Sequence, residues 1–212
     1  IIGHWVWSCF GMPYTVESFE PHADYTIDNG VRVKGSWKAW LFRRWEEQVK
    51  RTCFKMYPVS RGFARQLRQD GIRASRIEVL PCTIDEHQFC FDETLRFQIR
   101  RELGIPHDKK VGVYVGKFGG MYLGEEARSV LERLAWSMDS HFLLLTNPDN
   151  EVCRGLLESD TLRGRVTALW AKPELVPGYL SASDYALVLT RSTATSRYLS
   201  PIKVGEYLMS GL

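Results

Sequence analysis

Between residues 37 and 56 apolar side chains return every three or four positions, at Trp37, Trp40, Leu41, Trp45, Val49, Cys53 and Met56, with Arg43, Arg44, Lys50, Arg51 and Lys55 between them. That period predicts one long amphipathic helix. Ser60 stands where it would cap a second helix ending near Gln69 and Gly71, and Ile77–Leu80 reads as a short strand stopped by Pro81. A further helix is expected over Asp92–Leu103, closed by Gly104 and Pro106.

Beyond residue 108 the pattern changes to short apolar runs alternating with helical stripes. Val111–Gly116 predicts a buried strand opening into a glycine-containing loop, 117–124, followed by a helix whose Ala127, Val130, Leu131, Leu134, Ala135 and Met138 share one face. Strands at 141–146, 165–170 and 185–190 then alternate with helices at 150–158, 173–181 and 201–210. Such alternation requires a parallel sheet with helices on its faces. We therefore read residues 1–92 as the C-terminal part of a first α/β domain, 93–108 as a linker helix and loop, and 109–212 as a Rossmann-like domain. The expected class is α/β with two parallel-sheet domains, both incomplete.

The 212 residues are 44% hydrophobic and 25% charged, which describes a globular chain and excludes disorder, collagen and coiled coil. No apolar run approaches the roughly 18 residues that cross a bilayer. Five cysteines (Cys9, Cys53, Cys82, Cys90 and Cys153) are odd in number and scattered, so neither a disulfide framework nor a zinc site is expected, and a reducing cytoplasm is the simplest compartment. The chain starts without Met and stops just after Gly211, as a piece of a longer protein would.

The net charge of +3 conceals a block: residues 31–76 hold 13 Lys/Arg against 3 Asp/Glu. A block of this sign favours anionic surfaces or acceptors. For the tryptophan-rich helix 37–56 the plainer reading is core packing. The alternative is peripheral contact with anionic lipid on the inner face of the membrane, which would bring the protein to a lipid-linked acceptor. Nucleic acid is not expected, because no recognition module accompanies the basic residues. Gly116-x-x-Gly119-Gly120 lacks the spacing of a dinucleotide fingerprint, and the next strand ends in Thr146-Asn147 without the ribose-binding acid.

The last helix carries the strongest chemical signal. Ser200 and Pro201 suit its cap and first position, leaving backbone N–H groups through Ile202 and a helix dipole that favour a diphosphate. Lys203 lies in the first turn, and Glu206, a turn deeper, could accept two hydrogen bonds from a vicinal diol such as a ribose. The same residues would also make an ordinary capped helix with an exposed Lys and Glu.

Ser200-Pro-Ile-Lys-Val-Gly-Glu-Tyr-Leu-Met-Ser-Gly-Leu212 resembles the donor motif of the retaining GT-B glycosyltransferases that share the group 1 C-terminal domain. Pro58-Val-Ser60, Arg76–Asp85 with Phe89, Tyr114–Lys117, Ser183-Asp184 and Glu17–Asp24 are similar to further elements of that family, in its order. The resemblance implies two Rossmann-like domains and retaining transfer of a hexose from a nucleotide-diphosphate sugar to a glycan or lipid-linked acceptor. It implies no cofactor or metal, since Lys117, Lys203 and the helix start would neutralise the phosphates. Gly116 and Gly119 would line the donor loop, and Glu206 would hold the ribose.

Two positions depart from the family pattern. Tyr198 stands where a first glutamate usually touches the donor sugar, and the Lys-Gly after the loop's basic residue is replaced around Tyr122–Gly124. His22 is the candidate nearest the reaction centre, with Glu17 as the alternative occupant of that position, and a merely solvated His22 is equally compatible with the sequence. His4, His87, His107 and His141 are taken as structural. An epimerase of nucleotide sugars with the same architecture and a non-catalytic sugar-nucleotide-binding protein remain the alternatives.

Overall fold

The structure, a computed structural model, describes residues 2–212. The chain forms two units: one gathers everything up to Cys82 together with Ser192–Pro201, and the other holds Thr83–Arg191 and Ile202–Leu212.

In the first unit α1 (Ile2–Phe10) precedes a parallel pair, β1 (Thr15–Ser18) and β2 (Lys55–Pro58), paired from Thr15–Lys55 through Ser18–Pro58. Parallel neighbours need a crossover, and here α2 (His22–Asp28) and α3 (Trp37–Thr52) supply it. Helix α3 starts where Ser36 Oγ accepts from the Ala39 N–H and ends at Cys53, whose backbone is extended. The expected helix through Met56 is therefore shorter: Met56 keeps its core position as a strand residue. Ile77–Leu80 runs along β2 through one bridge, Met56–Ile77, and through N–H donation from Glu78 and Leu80 to the Met56 and Pro58 carbonyls.

Helix α4 (Arg61–Gln69) is capped as expected, with Ser60 Oγ accepting from the Phe63 N–H at 3.0 Å, and Gly71 follows it at φ +88°. Its Phe63, Ala64 and Leu67 join Cys53, Met56, Ile72, Ile77 and Tyr198 in one core. Core packing of the α3 tryptophans is corrected at two positions: Trp37 is 69% exposed and Trp40 is 63% exposed. Lys50, in contrast, is buried, and all three acids of the basic block converge on its Nζ, Glu47 at 2.9 Å, Asp70 at 3.0 Å and Glu46 at 3.5 Å. Burial alone would lower this amine's pKa, but Glu47, Glu46 and Asp70 outweigh it and raise it.

The second unit opens with α5 (Glu93–Glu102), which Asp92 caps, and builds a four-stranded parallel sheet ordered β5-β4-β3-β6. These strands are β3 (Val111–Val115), β4 (His141–Leu145), β5 (Val166–Leu169) and β6 (Tyr185–Ala186). Between them lie α6 (Glu126–Met138), α7 (Glu151–Glu158) and α8 (Val176–Ser181), and α9 (Ile202–Met209) closes the unit. Phe142 and Leu144 enter one core with Leu131 and Leu156, while Leu143 and Leu145 enter another with Val111, Val113 and Leu180. Both sheet faces are thus covered, which is why the central strands read as continuous apolar runs.

Several expected elements are shorter. Residues 173–175 form a 3-10 turn ahead of α8, and α9 starts at Ile202. Only Tyr185 and Ala186 of 185–190 pair as a strand, because Leu189 and Thr190 turn to bond Leu123 and Tyr122. Asp184, just before β6, ties the unit together: its carboxylate accepts from Arg96 at 2.6 Å, from Arg100 at 2.7 Å and from the Val111 N–H at 2.8 Å.

Candidate functional site

In the second unit the candidate residues gather where β3 ends. Gly116 follows Val115, and the loop it opens is held at two points: the Tyr114 hydroxyl donates to the Lys117 carbonyl at 2.6 Å, and Phe118 is buried with its ring 5.0 Å from that of Tyr114. Lys117 is left exposed. Gly119 at φ +88° and Gly120 at φ +67° turn the loop back in a conformation that favours glycine. Its return leg is bonded from the Leu123 N–H to the Leu189 carbonyl and from the Arg191 N–H to the Met121 carbonyl. Glu126 at the start of α6 then accepts from the Gly124 N–H at 3.0 Å and from Arg191 at 2.8 Å. Its own backbone N–H, that of Gly124 and the Arg191 guanidinium hold this carboxyl below the usual range.

Helix α9 is fastened to the same strand end. The Val115 N–H donates to the buried Tyr207 hydroxyl at 3.0 Å, one residue before the glycine loop begins. Burial pushes the Tyr207 hydroxyl up to about 12, so it stays protonated. This bond fastens α9 at Tyr207 to the carboxyl end of β3, and Gly205 allows a close approach to Ile84. The carboxyl edge is where open α/β sheets bind ligands.

On α9 Glu206 is buried and Lys203 is half-buried, and Lys203 Nζ donates to Glu206 Oε2 at 2.9 Å. The two candidates form an ion pair one helical turn apart. Their spacing in sequence was the available signal for it. Ser200 and Pro201 immediately precede the helix, and Ile202 is its first residue, with an exposed side chain.

Tyr198 occupies a different environment. It belongs to the segment 192–201 of the first unit, is buried, and sets its ring 5.8 Å from Phe63. Its hydroxyl donates to Gln66 at 2.9 Å and accepts from Arg197 at 2.6 Å. The segment is held on that unit by Ser60 Oγ donating to the Tyr198 carbonyl at 2.6 Å and by Asp28, which accepts from the Thr195 N–H at 3.1 Å and hydroxyl at 2.7 Å. At Gly62 a Cβ would stand 2.5 Å from the Arg197 carbonyl oxygen, so glycine makes room for the segment.

His22 opens α2 in the first unit, its side chain 58% exposed, with Nδ1 3.4 Å from Glu20 Oε1 and its ring 5.8 Å from that of Phe42. Glu17 lies on β1 beside Tyr57 and is exposed. Sequence reasoning missed the setting of His22: with Ser18 and Glu20 it borders a cavity of about 310 Å³ whose apolar wall is Val16, Phe42, Trp45, Val49 and Met56. No group of three or more His, Cys, Asp or Glu among the described residues could hold a metal ion. No helix among them is long and apolar enough to cross a membrane.

No family model matches the sequence, and no curated protein matches it. Solved structures do. Anabaena HepE, crystallised with UDP-glucose, superposes with a TM-score of 0.74 at 13% identity over 99% of this chain and 54% of its own. WaaG, a glycosyltransferase involved in lipopolysaccharide biosynthesis, gives a TM-score of 0.66 at 15% identity over 95% of this chain and 56% of its own. UDP-GlcNAc 2-epimerase from Neisseria meningitidis gives 0.51 at 13% identity over 86% of this chain and 56% of its own. The chain thus has the α/β fold of the GT-B glycosyltransferases and spans about half the length of these proteins.

Proposed function

We propose that this chain is part of a retaining glycosyltransferase that moves a hexose from a nucleotide-diphosphate sugar to a glycan or lipid-linked acceptor. The observation that supports the reading is the Tyr207–Val115 bond, which fastens the helix carrying the Lys203–Glu206 pair to the strand that runs into the Gly116–Gly119 loop. Structures similar in fold include one crystallised with UDP-glucose.

Glu206 takes the ribose hydroxyls, and donor binding frees Lys203 from Glu206 to meet the diphosphate together with Lys117 and the backbone N–H groups after Ser200 and Pro201. These cations and dipoles stabilise charge on the departing diphosphate, so no resident metal or other cofactor is invoked. His22 acts from the acceptor-side unit. The enzyme works in the cytoplasm, and exposed Trp37 and Trp40 beside Arg43 and Arg44 support peripheral contact with anionic lipid. The likeness to an epimerase supports a second reading, in which the nucleotide sugar changes with no acceptor present.

The test is thermal stability against UDP, GDP, ADP and dTDP. A ligand at a hundred times its Kd stabilises the native state by about 2.7 kcal/mol. One diphosphate should do so, and Glu206→Ala should abolish the shift. No response to any of the four would overturn the donor assignment.

A further inference from the structure

The cavity beside His22 has a composition that neither the nucleotide nor the diphosphate requires. Its wall is built from two residues of the β1–β2 pair, Val16 and Met56, and from Phe42, Trp45 and Val49, which recur along one side of α3. Phe42 and Trp45 stand ring to ring at 5.8 Å. Tryptophans 37 and 40, in contrast, are exposed. The aromatic residues of α3 are therefore divided between the exposed surface and this half-buried wall.

Two of the charges that line the cavity, Glu46 and Lys50, are already matched. Glu46 accepts from the Ala23 N–H at 2.9 Å and faces Lys50 at 3.5 Å, and Lys50 is held by Glu47 and Asp70 as well. Glu20 faces His22. A charged ligand would have to compete with one of these pairs, whereas a neutral one leaves them intact. The remaining polar group on the border is Ser18, whose hydroxyl donates to the Glu20 carbonyl. Among the described residues His22 Nε2 has no hydrogen-bond partner, so the border offers a neutral hydroxyl one ring nitrogen.

We infer that this cavity takes a neutral acceptor alcohol joined to an apolar body, the apolar part lying on Phe42, Trp45 and Val49 and the hydroxyl bonded at His22. The inference rests on the glycosyltransferase reading for the word acceptor; the binding chemistry stands on the cavity alone. At about 310 Å³ it lies at the small end of ligand sites, fitting a short chain or one aromatic ring rather than an oligosaccharide. The apolar body has two sources, an alkyl chain or an aromatic aglycone, and probes of each kind separate them.

The experiment is an NMR titration of the intact protein with hexyl β-glucoside below its micelle concentration, phenyl β-glucoside and free glucose, with UDP titrated separately. One or both glucosides should bind at least about tenfold tighter than glucose, since burial of a few methylenes supplies that factor. The tighter of the two identifies the source. Intermolecular NOEs should join its apolar protons to the Trp45 indole, and Trp45→Ala and Val49→Ser should erase the preference while the UDP titration stays unchanged. Equal affinity for the three probes, no binding of any, or a preference that survives both substitutions would overturn the inference. NOEs in the unmodified protein keep the result independent of how the variants fold. Failure of UDP to bind would count against the donor reading and leave the cavity result standing.

Discussion

Replacing Asp184 with Asn tests how the second unit is held together. The carboxylate makes three bonds to two elements, through Arg96 and Arg100 of α5 and the first N–H of β3. Arg100 is the sensitive partner, because its side chain is 3% exposed and its other contacts are the carbonyls of Ala182, Pro106, His107 and Lys109. Removing one member of a buried pair costs about 3–5 kcal/mol, and Asn keeps the shape and one acceptor, so about 3 kcal/mol is expected. In a domain of this size that lowers Tm by roughly 10–15 °C. The pH dependence supplies the sharper check. Burial raises the Asp184 pKa, but the Val111 N–H, Arg96 and Arg100 outweigh it and hold the group below the carboxylate range. Its stabilisation is thus complete above the unfolded value of about 3.9 and is lost as pH falls through the folded value. Melting curves followed by circular dichroism should show a wide gap between the two proteins at pH 7 that narrows as the folded Asp184 is protonated. A gap under about 3 °C at pH 7, or one that persists undiminished into acid, would refute the reasoning.

Three further substitutions probe the sites described above. Tyr207→Phe leaves the Val115 N–H without its acceptor, so it should destabilise the second unit by about 1–3 kcal/mol and weaken UDP binding, both read by melting with and without nucleotide. Gly62→Ala pushes a methyl against the Arg197 carbonyl, and a cost of about 1–3 kcal/mol in denaturant unfolding, with increased protease cleavage within 192–201, is expected. Tyr198→Glu restores the residue type the resemblance calls for but places a carboxyl against Phe63 and Leu67. It should cost at least about 3 kcal/mol in denaturant unfolding at pH 7; a stable variant with tighter donor binding would contradict the buried placement.

The second unit was legible because its strands are covered on both sides and its helices are not. Val111–Val115 and His141–Leu145 contain enough consecutive apolar residues to stand out, and α6 shows an unbroken stripe. The first 36 residues gave no such signal. Thr15–Ser18 is too short to display alternation, and α1 buries no residue, with Ile2, Trp5, Trp7 and Phe10 exposed. At Met56 the helical period continued by coincidence into a strand, since the residue is buried in either geometry. The α9 start and the glycine loop could be placed from cap and turn residues. Their fastening by Tyr207, and the cavity beside His22, join residues distant in sequence and left no local trace. The Asp184 cluster is similar: Arg96 and Arg100 lie 88 and 84 positions away.

The segment Ser192–Pro201 makes the first unit discontinuous, since the chain leaves the second unit after Arg191, sets Tyr198 into the Phe63 core and resumes in α9. One cleavage at residue 82 would therefore release two products that both lack something: the amino-terminal piece would have an unfilled aromatic slot, and the remainder would carry an unpaired tyrosine plug. Recombination between relatives meets the same constraint. A transplanted N-terminal part needs its own version of these ten residues, so the inheritable module is a composite of two stretches rather than a contiguous block of sequence.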